Sequence, residues 1–223
     1  MYWLNENSKI FLSKGYLMEG VTAEERIREI AKKAETYLNK PGFADKFYDY
    51  MSKGFYSLAS PVWSNYGLKR GLPISCFSSY IADDMSRILY THAEVGMMTK
   101  YGGGTAGHFA GLRPRGAPIK DNGTSSGSVH FMELFDNLIN IVSQGSVRRG
   151  HFAPYLPVEH KDIEEFLNIG TEGHPIQEST YAVTVTDAWL KAMVEGDEEK
   201  RKTWAKIIQR RTEIGYPYIL FSD

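Results

Sequence analysis

The sequence has very little cysteine: Cys76 is the single one in 223 residues. One thiol cannot form a disulfide within its own chain, and it cannot build a cysteine-based metal site, so both are excluded as internal frameworks. The six histidines show neither H-x-x-x-H nor H-E-x-x-H spacing. No metal site is therefore expected within this chain.

The sequence also lacks an excess of charge and a long apolar run. Lys and Arg number 26 against 27 Asp and Glu, a formal net charge of -1, so long-range attraction to nucleic acid or anionic lipid is not indicated. No run approaches the roughly 20 apolar residues that span a bilayer. The first residues, MYWLNENSKIF, do not resemble a secretory signal. We expect a cytoplasmic protein (host cytoplasm if viral) with no nucleic-acid or membrane partner.

Apolar periodicity predicts several helices. Thr22 and Glu25 offer a capping box for a helix through Ile27 and Ile30. Aspartates before residue 85 can cap a helix that ends near residue 101, where three glycines follow. Further helices are predicted from a cap at or near Ser128, over residues 161–169, over 188–194 with Asp187 as the cap, and over 198–214.

Two segments have the pattern of strands. TYAVTVT alternates, and YPYILF is typical of a buried strand. Helices therefore alternate with short strands over the last three-quarters of the chain, which predicts an α/β fold with parallel strands. Since YILF is followed by only two residues, we expect something outside this chain to cover it, as in half of a larger fold.

The stretch GGGTAG, residues 102–107, satisfies G-x-G-x-x-G, with Asp121 downstream. A dinucleotide-binding turn needs a strand before the glycines and a helix after them. Here a helical pattern precedes and a proline-containing loop follows, so that interpretation is disfavoured. Two remain open, namely close backbone approach to a phosphate or sugar, and a purely structural end of a helix.

Three other features have both a functional and an ordinary interpretation. Arg113, Arg115 and Lys120 lie in a loop that is either solvated surface or a binder of triphosphate. SQGSVRRGHF, residues 143–152, is either a ligand-binding loop or a plain connection. Cys76 is either a buried small apolar side chain or a functional thiol.

Seven motifs occur in order along the chain: SLASPVWSNYG, LPISCF, GGGTAG, NGTSSGSVHFMELF, SQGSVRRGHFAPYLPVEH, EGHPIQESTYAVTVTD and GYPYILFSD. Together they resemble the large, catalytic subunit of class I ribonucleotide reductase, in its compact bacterial and bacteriophage forms. The resemblance implies a ten-stranded α/β barrel made of two five-stranded halves. Residues 1–52 would be an N-terminal helical segment, and residues 53–223 the first half-barrel with an effector-binding region. The ATP-binding helical module that precedes the barrel in some members is not expected.

The resemblance also implies an activity, the reduction of ribonucleoside diphosphates to deoxyribonucleotides by thiyl-radical chemistry with a cysteine pair. Carried over by position, Cys76 matches the first member of that pair. The residues that match substrate contacts are Ser60, Ser75, Gly104, Gln144 and Arg148, of which Gln144 and Arg148 would contact the base.

A second implied site binds an allosteric effector, a deoxynucleoside triphosphate or ATP with Mg²⁺. Asp83, Asp84 and Met85 match the dimer-face segment that binds this effector, and Arg113 and Lys120 match basic residues near its phosphates. The resemblance implies a dimer of large subunits through the effector-site helices.

The motif that carries the family's radical cysteine, the partner of Cys76 and the C-terminal cysteine tail are not in this sequence. We therefore expect an N-terminal half present as a separate polypeptide, which needs a C-terminal half on another chain. It would also need a small (beta) subunit carrying the radical or dimetal centre, and thioredoxin or glutaredoxin as reductant. Two alternatives stay open, a non-catalytic nucleotide-binding or assembly fragment of the same family, and a fragment of an adenosylcobalamin-dependent reductase, which shares the barrel.

Overall fold

A computed structural model describes residues 1–144 and 149–223 of the chain. These residues divide into two compact units. The first unit contains Met1–Ser75, Lys100–Gly103 and the described residues of Ser143–Arg149; the second contains Cys76–Thr99, Gly104–Val142 and Gly150–Asp223. No described helix is both long enough and apolar enough to cross a membrane.

The first unit contains the helices α1 (Glu6–Ser13), α2 (Ala23–Leu38), α3 (Phe43–Ser52) and α4 (Ser60–Asn65). The predicted capping box of α2 is confirmed, since the Thr22 side chain accepts from the Glu25 amide and the Glu25 carboxylate accepts from the Thr22 amide. A core that includes Ile27, Met51 and Trp63 holds these helices together. The domain boundary predicted after residue 52 stays a prediction.

A buried arginine connects α2 to α4. The guanidinium of Arg26, whose residue is 1% exposed, donates to the carbonyl oxygens of Trp63 at 2.9 Å and Tyr66 at 2.7 Å, and pairs with Glu29 at 2.6 Å. The last carbonyls of a helix have no partner within the helix. Arg26 therefore satisfies the end of the short helix that begins at Ser60.

The second unit contains the parallel strands β1 (Cys76–Tyr80), β2 (Gly104–His108), β3 (Phe152–Pro157), β4 (Ala182–Val185) and β5 (Tyr218–Phe221). Its helices are α5 (Met85–Lys100), α6 (Ser128–Ile141), α7 (Ile163–Phe166), α8 (Asp187–Glu195) and α9 (Glu198–Ile214). Within the described residues the strands form one five-stranded sheet in the order β1-β2-β3-β4-β5. The prediction of an α/β fold with parallel strands is confirmed, and the sheet has the strand number that the resemblance implies for a half-barrel.

Three phenylalanines pack α6 against β3 and against the residue that directly follows β2. The Phe135 ring stacks on Phe152 with centroids 4.9 Å apart, and Phe109 meets both rings edge-on. All three are at most 2% exposed. This aromatic cluster fixes α6 relative to the strands that precede and follow it.

The structure corrects the sequence prediction at three places. YPYILF is not a buried strand, because β5 is at the sheet edge and Tyr218, Leu220 and Phe221 are 48%, 47% and 57% exposed. The cap of α8 is Thr186, whose side chain accepts from the amide of Trp189, and not Asp187. The helix predicted over residues 161–169 is shorter, spanning Ile163–Phe166.

The glycine-rich motif has the opposite context from a dinucleotide-binding turn. Helix α5 precedes it, and β2 begins at Gly104 within it. The order is therefore helix, glycines, strand, which excludes the Rossmann interpretation.

Candidate functional site

Cys76 is the first residue of β1 and is paired with Gly104, the first residue of β2. The thiol residue is exposed, on the same strand face as Ser78 and Tyr80, whereas Phe77 and Ser79 are half-buried. Gly104 has no side chain, so nothing from this residue covers the backbone beside Cys76. Ser75, half-buried, directly precedes this strand.

In the first unit, the side chain of Gln144 lies against two glycines. A Cβ added at Gly71 or at Gly102 would come closer than 3.0 Å to the Gln144 amide, and both glycines have positive φ, 62° and 89°. The Gln144 Nε2 is 3.5 Å from the Asn65 Oδ1, and the Asn65 Nδ2 donates to the Leu72 oxygen at 2.8 Å. Asn65, Gly71 and Gly102 together form a seat for Gln144, which we call the glutamine seat.

The glutamine seat opens into a cavity of about 180 Å³ in the first unit. Two residues that the resemblance assigns to substrate, Ser60 and Gln144, line this cavity together. The remaining lining residues are Tyr16, Pro61, Ser64, Asn65 and Gly102. Asn65 was missed by sequence reasoning, because a polar residue at the end of a short helix is ordinarily a surface residue.

A larger cavity of about 630 Å³ lies elsewhere in the first unit and contains none of the predicted site residues. Its lining is mainly aromatic and apolar, and includes Tyr2, Trp3, Phe11, Tyr56 and Trp63. Size alone favours it as a binding site. The smaller cavity is favoured instead by its lining, because Ser60 and Gln144 are predicted substrate contacts.

In the second unit, the structure brings together residues from the predicted effector site. The Arg113 Nε donates to the Asp83 Oδ2 at 2.7 Å, and the Arg113 Nη1 donates to the Pro118 oxygen at 3.0 Å. The Asp84 carboxylate accepts from the Arg87 amide at 2.9 Å and so caps α5, and Met85 begins that helix 55% exposed.

The loop after β2 is ordered by its own backbone. The Ser125 amide donates to the Ala117 oxygen, the Ile119 amide donates to the Gly123 oxygen, each at 2.8 Å, and Pro118 bridges Thr124. Lys120 lies exposed in the turn of this hairpin. On the same loop, hydrogen bonding to the Glu165 carboxylate raises the pKa of Arg115.

Sequence reasoning also missed a buried node formed by His160 and Asp162. The Asp162 Oδ1 accepts from the Arg115 amide at 3.0 Å, and its Oδ2 accepts from the Ser128 amide at 2.8 Å. The His160 Nδ1 accepts from the Asp162 amide at 3.1 Å, and its Nε2 is 2.9 Å from the Leu112 oxygen. No sequence signal pointed to it, since Asp162 looks like an ordinary helix cap.

This node places a serine, a histidine and an aspartate together, because the Ser128 Oγ is 3.3 Å from the His160 Nε2. A backbone amide can only donate, so the Nδ1 of His160 must be the acceptor and its Nε2 carries the hydrogen. A protonated Nε2 cannot take the hydroxyl proton of Ser128. The arrangement is therefore not that of an activated nucleophile.

Arg148 lies outside the described residues, so the structure does not place it. Among the residues that are described, no group of three or more His, Cys, Asp or Glu side chains is arranged to hold a metal ion.

Burial lowers the pKa of His108, at the end of β2.

Comparison with known proteins gives a consistent result. The family profile for the ribonucleotide reductase barrel domain matches residues 74–200, more than half of the chain. The alpha subunit of the class Id ribonucleotide reductase from Actinobacillus ureae superimposes with a TM-score of 0.90 and 55% identity, over 98% of this chain and 40% of that one.

Curated relatives extend the comparison. A putative ribonucleoside-diphosphate reductase large subunit of Frog virus 3 is 29% identical over 85% of this chain and 36% of its own length. A vitamin B12-dependent ribonucleoside-diphosphate reductase of Mycobacterium tuberculosis is 36% identical over 60% of this chain and 20% of its own. The chain thus spans about a third or less of these two curated relatives. On the match to the barrel-domain profile, the chain belongs to the ribonucleotide reductase family.

Proposed function

We propose that the chain is the N-terminal part of a class I ribonucleoside-diphosphate reductase large subunit. The observation that carries this proposal is the position of Cys76 at the head of β1, beside Gly104, within the part of the chain that matches the barrel domain. The class I assignment is supported by 55% identity to a class Id alpha subunit over nearly the whole chain. The vitamin B12-dependent relative is 36% identical over a shorter part, so that alternative is less well supported.

In the proposed reaction, Cys76 supplies one of the two thiols that reduce the ribose. Two thiols become a disulfide and release two electrons and two protons; the 2′-hydroxyl leaves as water, and hydrogen takes its place at the carbon. The second thiol would come from the remaining part of the large subunit. A thioredoxin or glutaredoxin dithiol would then reduce the disulfide by exchange. The small subunit would supply the radical that starts the reaction.

The substrate would be a ribonucleoside diphosphate. The Ser60 hydroxyl, the Gln144 amide and the backbone at Gly104 would keep the substrate-binding roles that the resemblance gives them. The same holds for Ser75 and Arg148. Small-molecule pockets are commonly about 300–1,000 Å³. The cavity of about 180 Å³ lined by Ser60 and Gln144 is smaller, so it would hold one part of the nucleotide.

The effector would be a deoxynucleoside triphosphate or ATP with Mg²⁺, bound near Asp83, Asp84 and Met85. Arg113 and Lys120 would contact its phosphates, since arginine and lysine are the usual partners of phosphate oxygens. The Asp83–Arg113 ion pair supports this proposal because it brings two of the predicted effector residues, from the loops after β1 and β2, within 2.7 Å of each other. Two large subunits would meet through α5.

The test is reconstitution. The chain alone should show no turnover of ribonucleoside diphosphates, and turnover should appear when the remaining part of the large subunit, the small subunit and a dithiol reductant are added. Turnover by the chain alone would refute the proposal. A complete mixture that binds deoxynucleoside triphosphates without turning over would instead favour the non-catalytic fragment.

A further inference from the structure

The loop between β2 and α6 carries Arg113 and Lys120, and its two ends come together on one carboxylate. The Asp162 side chain accepts from the Arg115 amide at 3.0 Å and from the Ser128 amide at 2.8 Å. Arg115 is near the start of the loop, and Ser128 is the first residue of α6. A single buried side chain, 6% exposed as a residue, therefore closes the loop.

The first residues of two helices show that Asp162 does not act as an ordinary N-cap of its own helix. Asp162 occupies the N-cap position of α7, yet its side chain makes no capping hydrogen bond to that helix. The N-cap of α6 is Gly127, which has no side chain to offer. Asp162 thus supplies α6 with the acceptor that its own cap lacks, from a segment 34 residues further along the chain.

Gly127 leaves the space that this contact needs. A Cβ at Gly127 would lie 3.0 Å from the Asp162 Oδ2 and 2.9 Å from the Arg115 Cβ, and its φ is +91°. Any other residue there would push the loop away from the carboxylate.

His160 holds the loop at a third residue, Leu112. With its Nδ1 accepting from the Asp162 amide, its Nε2 donates to the Leu112 oxygen at 2.9 Å. The turn after β3 therefore holds the loop at Leu112, Arg115 and Ser128. Arg113 lies between the first two of these points, so its backbone position is held on both sides.

From these contacts we propose that Asp162 is a positioning residue, which sets the loop so that Arg113 and Lys120 can contact the phosphates of a deoxynucleoside triphosphate. The inference rests on the effector site of the proposed function. Asp162 would not touch the nucleotide. It would act through the two amides that it accepts from.

The experiment uses the full-length large subunit and the four deoxynucleoside triphosphates, each measured by calorimetric titration. Asp162→Asn keeps the size of the side chain but turns an amide group toward one of the two backbone amides. Loss of a hydrogen bond to a charged group predicts about tenfold weaker binding of the nucleotide that binds the wild type. Hydrogen exchange should become faster at the Arg115 and Ser128 amides.

Two control variants separate positioning from general destabilisation. Glu165→Gln removes the surface ion pair with the Arg115 side chain and should leave affinity within about twofold. Ile207→Ala opens a core cavity in α9 of the same unit, where Ile207 is 0% exposed, and should lower the melting temperature without changing nucleotide affinity.

The outcomes are distinct. If the wild type binds a nucleotide and Asp162→Asn binds it equally well, or if Ile207→Ala weakens binding as much, the role of Asp162 is refuted. If the wild type binds none of the four, the effector site of the proposed function fails and the inference fails with it. If Asp162→Asn does not fold, hydrogen exchange of the wild-type protein, measured before nucleotide is added, decides between the outcomes. Fast exchange at the Arg115 and Ser128 amides overturns the inference, and strong protection of these amides supports it.

Discussion

Cys76 and Gly104 are paired as the first residues of two parallel strands, and Tyr80 and His108 are paired as the last. The predicted effector residues Asp83 and Arg113 follow the far ends of these same strands, in the loops after β1 and β2. A strand advances about 3.3 Å per residue, so roughly 13 Å separates the two ends. Within the second unit, β1 and β2 therefore connect Cys76, the proposed reducing thiol, to the candidate effector site.

The glutamine seat predicts a specific intolerance at Gly102. Gly102→Ala combines a positive φ with a Cβ that would overlap the Gln144 amide. Gly20→Ala, in the same unit, also has a positive φ, but nothing lies within 4 Å of its Cβ. Each change should cost about 1–2 kcal/mol for the backbone conformation. Gly102→Ala should cost about 0.5–1 kcal/mol more, because its Cβ displaces the end of the Gln144 side chain from its contact with Asn65. Urea unfolding measures both, and equal costs would contradict the seat.

The effector site predicts unequal roles for two arginines of one loop. Arg113→Ala should weaken binding of a deoxynucleoside triphosphate by about tenfold or more, because a charge-assisted contact to phosphate is lost. Arg115→Ala removes the same charge two residues away but only breaks a surface pair with Glu165, so affinity should change by about twofold at most. Calorimetric titration decides, and similar losses in both variants would argue against a specific role for Arg113.

The exposed side of α5 predicts where two large subunits meet. Met85, Leu89, Tyr90 and Met97 are each at least 50% exposed on this helix. Leu89→Glu places a charge on that surface and should shift the large subunit from dimer to monomer, as light scattering after size-exclusion chromatography measures. Val194→Glu, a matched change at a 66% exposed residue of α8, should leave the dimer intact. A dimer that survives Leu89→Glu would place the interface elsewhere.

The burial of His108 predicts a pH dependence of stability. Desolvation lowers the pKa of His108 below its usual 6.5, so the folded state favours the neutral ring. At pH values above the pKa that His108 has in the unfolded chain, the ring is neutral in both states and does not affect the free energy of unfolding. Below that pKa the unfolded state binds the proton more readily than the folded state, so the free energy of unfolding falls. Between about pH 7.5 and about pH 5, His108→Gln should lose less stability than the wild type in urea unfolding. An identical loss would contradict the stated burial effect.

How much of the fold could be predicted depended on the composition of each strand. β4 was predicted because its valines and threonine alternate as strand residues do. CFSSY, GTAGH and FAPYLP of β1, β2 and β3 contain almost no β-branched residues, so their strand character comes from pairing within the sheet. β5 was predicted as a strand, but its exposure depends on its place at the edge.

The residues of the candidate sites also divide into those that could be predicted from the sequence and those that could not. Cys76 and Gly104 could be named because they lie within short motifs, and the effector residues because the family resemblance assigns them by position. Asn65 and Asp162 could not, since their roles arise from contacts with residues far along the chain. Asp162 accepts from amides 47 and 34 residues away, and Asn65 lies 79 residues from Gln144. Such contacts exist only once the chain has folded.

The most direct test of the account is the effect of Cys76→Ser on turnover in the complete enzyme, assembled with the small subunit and a dithiol reductant. Ser78→Ala is the matched control, because Ser78 lies two residues along on the same exposed face of β1. We predict that Cys76→Ser abolishes multiple turnover while deoxynucleoside triphosphate affinity stays within about twofold of the wild type, and that Ser78→Ala keeps its turnover. Multiple turnover by Cys76→Ser at the wild-type rate would contradict the account.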